Sequence, residues 1–322
     1  MLQEQTNALL MPIQARLPSL DSEPLPEAVY HYTDIGGLLG IVDSGVLWAT
    51  DYRYLNDSSE LRYIFDQSRQ VVEDYLQGGQ YDLIGQTFLE YALTGRPPYD
   101  DTAYYLCCFS EVDNSLSQWR AYGHQQGFSL SFPGDITSHT GALDVPRLQG
   151  QTPGITLLKV NYDSQVHTEY VSALIKELLV LCTAEHIRLY STPQDAISHI
   201  APFYWAQLER ASYRFKHPDF ADEREWRLVS WVDLKIADSR RLHPEFFRAG
   251  ASLIPYTTFH VFSGSHGHSR PSQLPLLAVR SGPTMLPNET TNALDRLLTA
   301  RGYENSFCER RHSETPARPF GH

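Results

Sequence analysis

The sequence predicts a single α+β domain, and three observations carry that expectation. Short strand patterns and long helical patterns are interspersed without the strand–helix–strand rhythm of a doubly wound sheet. No internal repeat is visible along the 322 residues. No Gly/Ser-rich linker or long charge run cuts the chain, and its length suffices for one large core.

The elements follow in order. Residues 1–26 carry Pro12, Pro18, Pro24 and Pro26 and are expected as an arm laid over the surface or partly disordered. A-V-Y-H-Y-T at 28–33 is β-rich and short, a strand. Asp34 is placed to cap a helix whose apolar stripe is Leu38, Leu39, Ile41 and Val42, and Gly45 stands where a left-handed closing residue is wanted. Residues 46–50 read as a second strand, D-Y-R-Y-L-N-D as a loop, and Ser58 or Ser59 caps a helix to about Leu76. A helix over 81–94, a buried strand over 104–110 and a short helix over 115–122 come next. G-F-S-L-S-F at 127–132 alternates with period two, a strand with one covered face. A strand at 155–162, long helices at 164–187 and 194–214, strands at 225–232 and 276–280, and a helix over 289–301 ended by Gly302 complete the pattern. The domain is expected over 27–312, with 164–214 as a helical insertion suited to partner contacts or to core, and 313–322 as a tail.

The formal net charge of -12 and a pI near 5.5 argue against a broad phosphate-binding surface, though not against a local basic groove. Nineteen Tyr, 14 Phe and five Trp supply rings for a core and for stacking on bases or nicotinamide. The start Met1-Leu2-Gln3-Glu4 lacks a basic segment followed by an apolar run, and no apolar stretch approaches the ~18 residues of a membrane span, so a cytoplasmic protein is expected. Cys107 and Cys108 are adjacent, Cys182 and Cys308 isolated, and no C-x-x-C pair exists; reduced thiols are the expectation.

Four short motifs carry the candidate chemistry. In H-Y-T, His31 and Thr33 share one strand face while Tyr32 points the other way; His and Thr together can hold ribose hydroxyls or a carboxamide. In Y-L-N-D-S-S-E at 54–60, Asn and Asp serve ordinary capping, or Tyr54 and Asn56 lie over the cleft of His31. C-F-S-E at 108–111 precedes Q-W-R-A-Y-G, in which Trp119 and Tyr122 share a helical face as core or as a ligand platform. In F-K-H-P-D-F-A-D-E-R-E-W-R at 215–227, an extended segment would turn the carboxylates of Glu223 and Glu225 one way, with Arg227 beside them. Two like-facing acids raise one another's pKa and an arginine lowers it again; a charged edge strand is the plainer alternative.

Together these motifs, with a C-terminal S-x-x-P-x-R (Ser313, Pro316, Arg318), resemble the bacterial domain-of-unknown-function family 2971, in matching order from about residue 28 to 318. A looser resemblance is to ADP-ribosyltransferases, closest to the base-modifying bacterial toxins: a strand carrying H-x-T near the start, then a helix, and a late E-x-E before a strand. That resemblance implies a twisted, split antiparallel sheet with helical insertions and NAD as the substrate. It implies that His31, Tyr32 and Thr33 hold NAD, with Tyr54 as the ring stacking on nicotinamide and Tyr122 or Trp119 in reserve. Glu225 would stabilise the oxocarbenium-like ribose and Glu223 would activate an acceptor. The chain departs from the arginine-modifying members in having no S-T-S-like strand, for which Phe109-Ser110 is the substitute. The implied activity is transfer of ADP-ribose to a macromolecule, nucleic acid or protein, by a toxin or phage-defence effector with an antitoxin or defence-system partner. Two alternatives are kept: a non-catalytic nucleotide- or partner-sensing module, and another nucleotide-processing enzyme with Arg227 and Arg318 on phosphates. No metal is needed; His260, His266 and His268 lack a firmly placed third ligand and outer partners. Gly36, Gly37 and Gly40 do not match the spacing of a dinucleotide-binding turn.

Overall fold

The computed structural model describes residues 2–20, 23–55, 58–95, 102–123, 126–139, 155–182, 190, 192–233, 246–249, 253–260, 274–304 and 308–314. In chain order the helices are α1 (Leu2–Arg16), α2 (Ile35–Ser44), α3 (Ser58–Gly78), α4 (Leu83–Thr94), α5 (Leu116–Tyr122), α6 (Ile136–His139), α7 (Ser164–Leu181), α8 (Pro193–Ser212) and α9 (Pro287–Ala300). The strands are β1 (Ala28–Asp34), β2 (Val46–Asp51), β3 (Thr102–Ser110), β4 (Gly127–Pro133), β5 (Thr156–Lys159), β6 (Glu225–Asp233), β7 (Phe246–Ala249), β8 (Leu253–His260), β9 (Ala278–Ser281) and β10 (Glu309–His312). One sheet with helices makes the protein α+β, as its pattern predicts. The chain forms two compact units.

The first unit is helical and is built from Met1–Ser22, Leu55–Asp101 and Val160–Phe220. Its core gathers Ile13 of α1, Ile64 and Val72 of α3, Phe88 and Leu89 of α4, Leu174 and Leu178 of α7, and Tyr204 and Leu208 of α8. The residues expected as an N-terminal arm are therefore largely helix. Leu10, Ile13 and Leu17 recur every three or four residues and are buried, and that apolar stripe outweighs Pro12 inside the helix. The insertion expected at 164–214 is one of three chain segments in this unit.

The second unit, Glu23–Tyr54, Thr102–Lys159 and Ala221–His322, holds the ten strands found among the described residues. The strand order is β10-β9-β4-β1-β3-β2-β8-β7, with β6 also paired to β3 and β5 to β6. Every pairing is antiparallel except β9 with β10. The sheet forks at β3. All nine residues of β3 pair with β6 along one edge. On the other edge Ser110 pairs with Tyr30 of β1, whereas Leu106 and Tyr105 pair with Thr50 and Asp51 of β2. Helix α2 joins these two diverging strands. Asp34 caps its start by accepting from Gly37 N at 2.8 Å, and Gly45 closes it at φ 70°, a conformation open to glycine at no steric cost.

Strand alternation sorts the sheet into two faces. The core face carries Val29, Cys107, Phe109, Leu130, Phe132, Trp226, Leu228 and Val279, packed with Leu38, Ile41 and Val42 of α2 and Leu294 and Leu298 of α9. The outer face carries the alternate residues. Six of the seven residues of β4 are buried, so both of its faces are covered rather than the single face its alternation suggested; it lies between β1 and β9. Strands β7, β8 and β10 have no strong sequence signal. Pro255 interrupts β8, and Glu-Arg-Arg-His in β10 shows no apolar alternation. The strand expected at 155–162 is confined to Thr156–Lys159.

Candidate functional site

The outer face concentrates polar side chains in two rows across the sheet. Directly paired residues share a face, so the pairs Glu225–Ser110, Ser110–Tyr30 and Tyr30–Ser131 form one row over β6, β3, β1 and β4. The second row is split where β1 and β3 diverge: Arg227 pairs with Cys108 on β6 and β3, and Tyr32 of β1 pairs with Ser129, followed by Arg280 and Arg311. Ser110, Ser129, Ser131, Glu225 and Arg227 are all buried, and solvent reaches the layer at Tyr30 and Cys108, which are part-exposed.

At the β6 end, Arg227 donates Nε–H to Glu225 Oε1 at 2.8 Å and Nη2–H to Oε2 at 2.9 Å. Both side chains are buried, 2% and 7% exposed, so the fork of the guanidinium holds the carboxylate in one orientation. Arg227 thus lies on the carboxylate face, as alternation requires. The neighbouring Cys108 thiol is pushed well up by burial and then by the Glu225 charge, with Arg227 opposing, and stays a thiol rather than a nucleophilic thiolate.

The predicted extended E-R-E segment is not extended. Glu223 ends a 3-10 turn over Pro218–Glu223, and Arg224 takes φ 44°. This breaks the alternation that would have put both carboxylates on one side. The turn is instead tied to the end of β3: Ser110 Oγ donates to Glu223 O at 2.8 Å and Glu111 N to Arg224 O at 3.0 Å.

At the other end, Asp113 is shared by two arginines. Arg280 Nη2 and Arg311 Nη1 donate to its Oδ2 at 2.8 and 3.0 Å. The loop 111–115 that carries Asp113 lies against the layer, and Tyr32 is committed to it. Its hydroxyl donates to Val112 O at 2.5 Å and accepts from Ser115 N at 3.0 Å, and its ring meets Trp119 edge-on at 4.6 Å. Burial of that hydroxyl raises its pKa.

His31 and Thr33 lie on the opposite side of the sheet. His31 pairs with Leu130, and its ring stands 5.7 Å from Phe109 on the core face. It sits at the fork, where its Nδ1 is 2.9 Å from Cys108 O. A carbonyl only accepts, so Nδ1 carries the proton. Burial lowers the His31 pKa, partly offset by that bond, which leaves a neutral ring bridging the gap between β1 and β3. Thr33 Oγ1 lies against the first turn of α2, where a Cβ on Gly37 would meet it at 1.8 Å. The His31, Thr33 and Glu225 side chains are therefore not assembled into one site.

Tyr54 is 40% exposed, in the 3-10 turn Tyr52–Tyr54 that follows β2. The Asp51–Tyr105 pair before it is five positions along β3 from the Ser110–Glu225 pair, on the order of 17 Å. Trp119 is buried and donates Nε1–H to Asn114 Oδ1 at 2.9 Å, so it anchors α5 rather than offering a ring face; Tyr122 on the same helix is half-buried. Asn56, Arg318, His266 and His268 lie outside the described residues. Among the described residues no group of three or more His, Cys, Asp or Glu is arranged to hold a metal ion, and no helix is long and apolar enough to cross a membrane. All four cysteines are free.

Of the predicted residues, the structure places Ser110, Glu225, Arg227 and Tyr32 on one face of the sheet, the first three at its β6 end and Tyr32 against the 111–115 loop. It adds Tyr30, Ser129, Ser131, Asp113, Arg280 and Arg311. The serines were visible as the polar positions of G-F-S-L-S-F, and Tyr30 as the residue before H-Y-T. Asp113 and the two arginines carry no motif of their own.

A protein-family model described as "Protein of unknown function (DUF2971)" matches residues 118–228. The chain is similar to that family over α5 through the start of β6, a segment that includes Trp119, Tyr122, Glu223, Glu225 and Arg227. No curated protein and no solved structure matches the chain.

Proposed function

We propose that this chain is a nucleotide-handling protein that works at the outer polar layer of its sheet, with NAD as ligand and ADP-ribose transfer as its reaction. The observation that carries the reading is the buried Glu225 carboxylate, fixed by Arg227 on the sheet face that also carries Ser110 and Tyr30. In the reaction, the bond between the ribose C1′ and the nicotinamide nitrogen breaks. Nicotinamide leaves with the electron pair, and an acceptor nucleophile bonds C1′ and gives up its proton. A fixed carboxylate opposes the positive charge that develops on the ribose. Tyr30, on the Glu225 row, takes the ribose-contacting role that the motif resemblance assigned to His31.

A second reading is favoured by the same pair. With both carboxylate oxygens held by a guanidinium, the Glu225 charge is largely neutralised, as suits a module that binds a nucleotide without turning it over. The transferase reading requires ligand binding to release one of those two hydrogen bonds.

The test is nicotinamide release from NAD by the purified chain, with and without cell lysate, beside calorimetric NAD binding. Glu225→Gln is expected to lower release on the order of 100- to 1,000-fold by analogy with preorganised polar groups, with the room-temperature circular dichroism spectrum retained although the melting temperature falls. Tyr30→Phe is expected to weaken NAD binding, and His31→Asn to alter stability without a comparable effect on binding. Binding without release in either preparation selects the sensing module. Neither binding nor release removes NAD as the ligand, and loss of binding in His31→Asn but not Tyr30→Phe overturns the choice of face.

A further inference from the structure

The outer face has a second region, over β2, β8 and β7, of different character. Trp48 stacks on Tyr256 with ring centroids 4.5 Å apart and planes at 28°. Tyr256 in turn lies 5.6 Å from Phe246 with planes at 31°. The register explains the ladder: Phe246 is directly opposite Tyr256, and Trp48 is diagonal to it through the Thr50–Tyr256 and Trp48–Thr258 pairs. Three rings thus stand in series on three neighbouring strands. The outer two are well exposed, Trp48 at 49% and Phe246 at 42%. The second face of Trp48 has no ring against it among the described residues. Exposing two large aromatic side chains on a sheet forgoes burial that would stabilise the fold, which marks the patch as a contact surface.

Two features of the ladder choose its occupant. The rings are tilted only about 30° from parallel, so a flat heteroaromatic ring can extend the series on the open face of Trp48. Arg248 lies two residues from Phe246 on the same strand face, and it is the charged group among the described side chains of this face on the three strands. A planar stack beside a lone cation, with no described carboxylate among it, matches a base joined to a phosphate.

We propose that Trp48, Tyr256 and Phe246 hold unpaired bases of a single-stranded nucleic acid, with Arg248 on a backbone phosphate. The role of that strand as the acceptor of ADP-ribose rests on the reading above; its binding does not. Bases inside a duplex are already stacked on one another and cannot reach the ladder, so the site selects single strands. The net charge of -12 limits long-range attraction, so affinity comes from stacking and depends only shallowly on salt.

The experiment is titration of the full chain with fluorescein-labelled 12-mers of DNA and RNA, single-stranded and duplex, followed by anisotropy and by tryptophan fluorescence. Single strands are expected to bind and duplexes not. Trp48→Thr and Phe246→Thr, both β-compatible at exposed positions, are each expected to weaken binding roughly five-fold or more. Arg248→Gln is expected to reduce the salt slope by about 0.7. Binding that survives both ring substitutions overturns the proposal, as does preference for duplex. So does an absence of oligonucleotide binding, whether the protein proves to dimerise through Trp48 or to take up an oligosaccharide there. Oligonucleotide binding without nicotinamide release leaves the ladder standing while the transferase reading fails; release without oligonucleotide binding does the reverse.

Discussion

Replacing Arg227 by Met tests whether the Glu225–Arg227 pair is as deeply buried as its surroundings indicate. The two side chains are 2% and 7% exposed and are joined by hydrogen bonds of 2.8 and 2.9 Å. Met fills much of the volume of the arginine stem but leaves the carboxylate without its guanidinium in a layer that water barely reaches. Breaking a buried pair on one side typically costs ~3–5 kcal/mol, against ~0–1 kcal/mol for an exposed pair. At about 2–4 °C per kcal/mol for a unit of this size, melting of the sheet unit falls by roughly 6–20 °C. The double variant Glu225→Gln/Arg227→Met buries no charge and is expected to regain most of the loss, which gives a positive coupling energy in a double-mutant cycle. The assay is thermal melting followed by near-ultraviolet circular dichroism, which reads the Trp226 and Tyr105 environment of the sheet. A single-variant cost under about 1 kcal/mol refutes the reasoning, because it is the behaviour of a solvated pair.

Two further outcomes are expected. In the helical unit His167 is fully buried, its Nδ1 3.0 Å from the Tyr63 hydroxyl and its Nε2 3.0 Å from Asn161 O, and burial lowers its pKa from 6.5 to about 4. A histidine neutral in the fold but protonated when unfolded leaves stability intact above pH 6.5 and withdraws up to about 3 kcal/mol as pH falls to 4; urea melts from pH 7.5 to 4.5 should steepen this loss relative to His167→Gln, and parallel profiles would refute the burial. Gly127→Ala should destabilise the sheet unit by ~1–3 kcal/mol, because the new Cβ would stand 2.7 Å from Gly123 Cα and 3.1 Å from the Trp119 ring; an unchanged melting temperature would show that α5 does not press on β4.

Much of the fold was legible because its elements bury apolar stripes of the right period. β3, β4 and β6 are buried on at least one face, and burial is what imposes alternation on a sequence; β1 was legible from its β-rich composition and the Asp34-capped helix that follows. β10 was not legible because it is held by pairing with β9 rather than by apolar burial, and Glu309, Arg310, Arg311 and His312 are partly or fully exposed. In β8, Pro255 masked a strand whose Phe259 and Thr257 are nonetheless buried. The polar layer was legible in parts. Arg227 beside Glu225 follows from spacing two apart on one strand. The Asp113 cluster does not, since Arg280 and Arg311 lie 167 and 198 residues along the chain from it, and no local pattern encodes contacts at that range.

Strand parity explains why a motif set can be correctly ordered and still assemble differently. Within β1, His31 and Thr33 share a face; within β6, Glu225 and Arg227 do. Whether those two faces coincide depends on how β1, β3 and β6 register, and each strand placed between two motifs adds one choice of parity. Tyr30 opposite Ser110, and Ser110 opposite Glu225, settle it: the residues of β1 on the face of Glu225 are the even-numbered ones. A slip of one residue between β1 and β3 would exchange Tyr30 and Tyr32 for His31 and Thr33, but would also drive Val29 and His31 out of the core face and bring two tyrosines onto it. Val29 is fully buried opposite Phe132, itself fully buried, so the apolar pairing holds the register, and the register in turn selects which polar residues meet. The composition of the core thus decides the composition of the site. Tyrosine rather than histidine shares the face of Glu225 because the valine in the same strand has to be buried on the other.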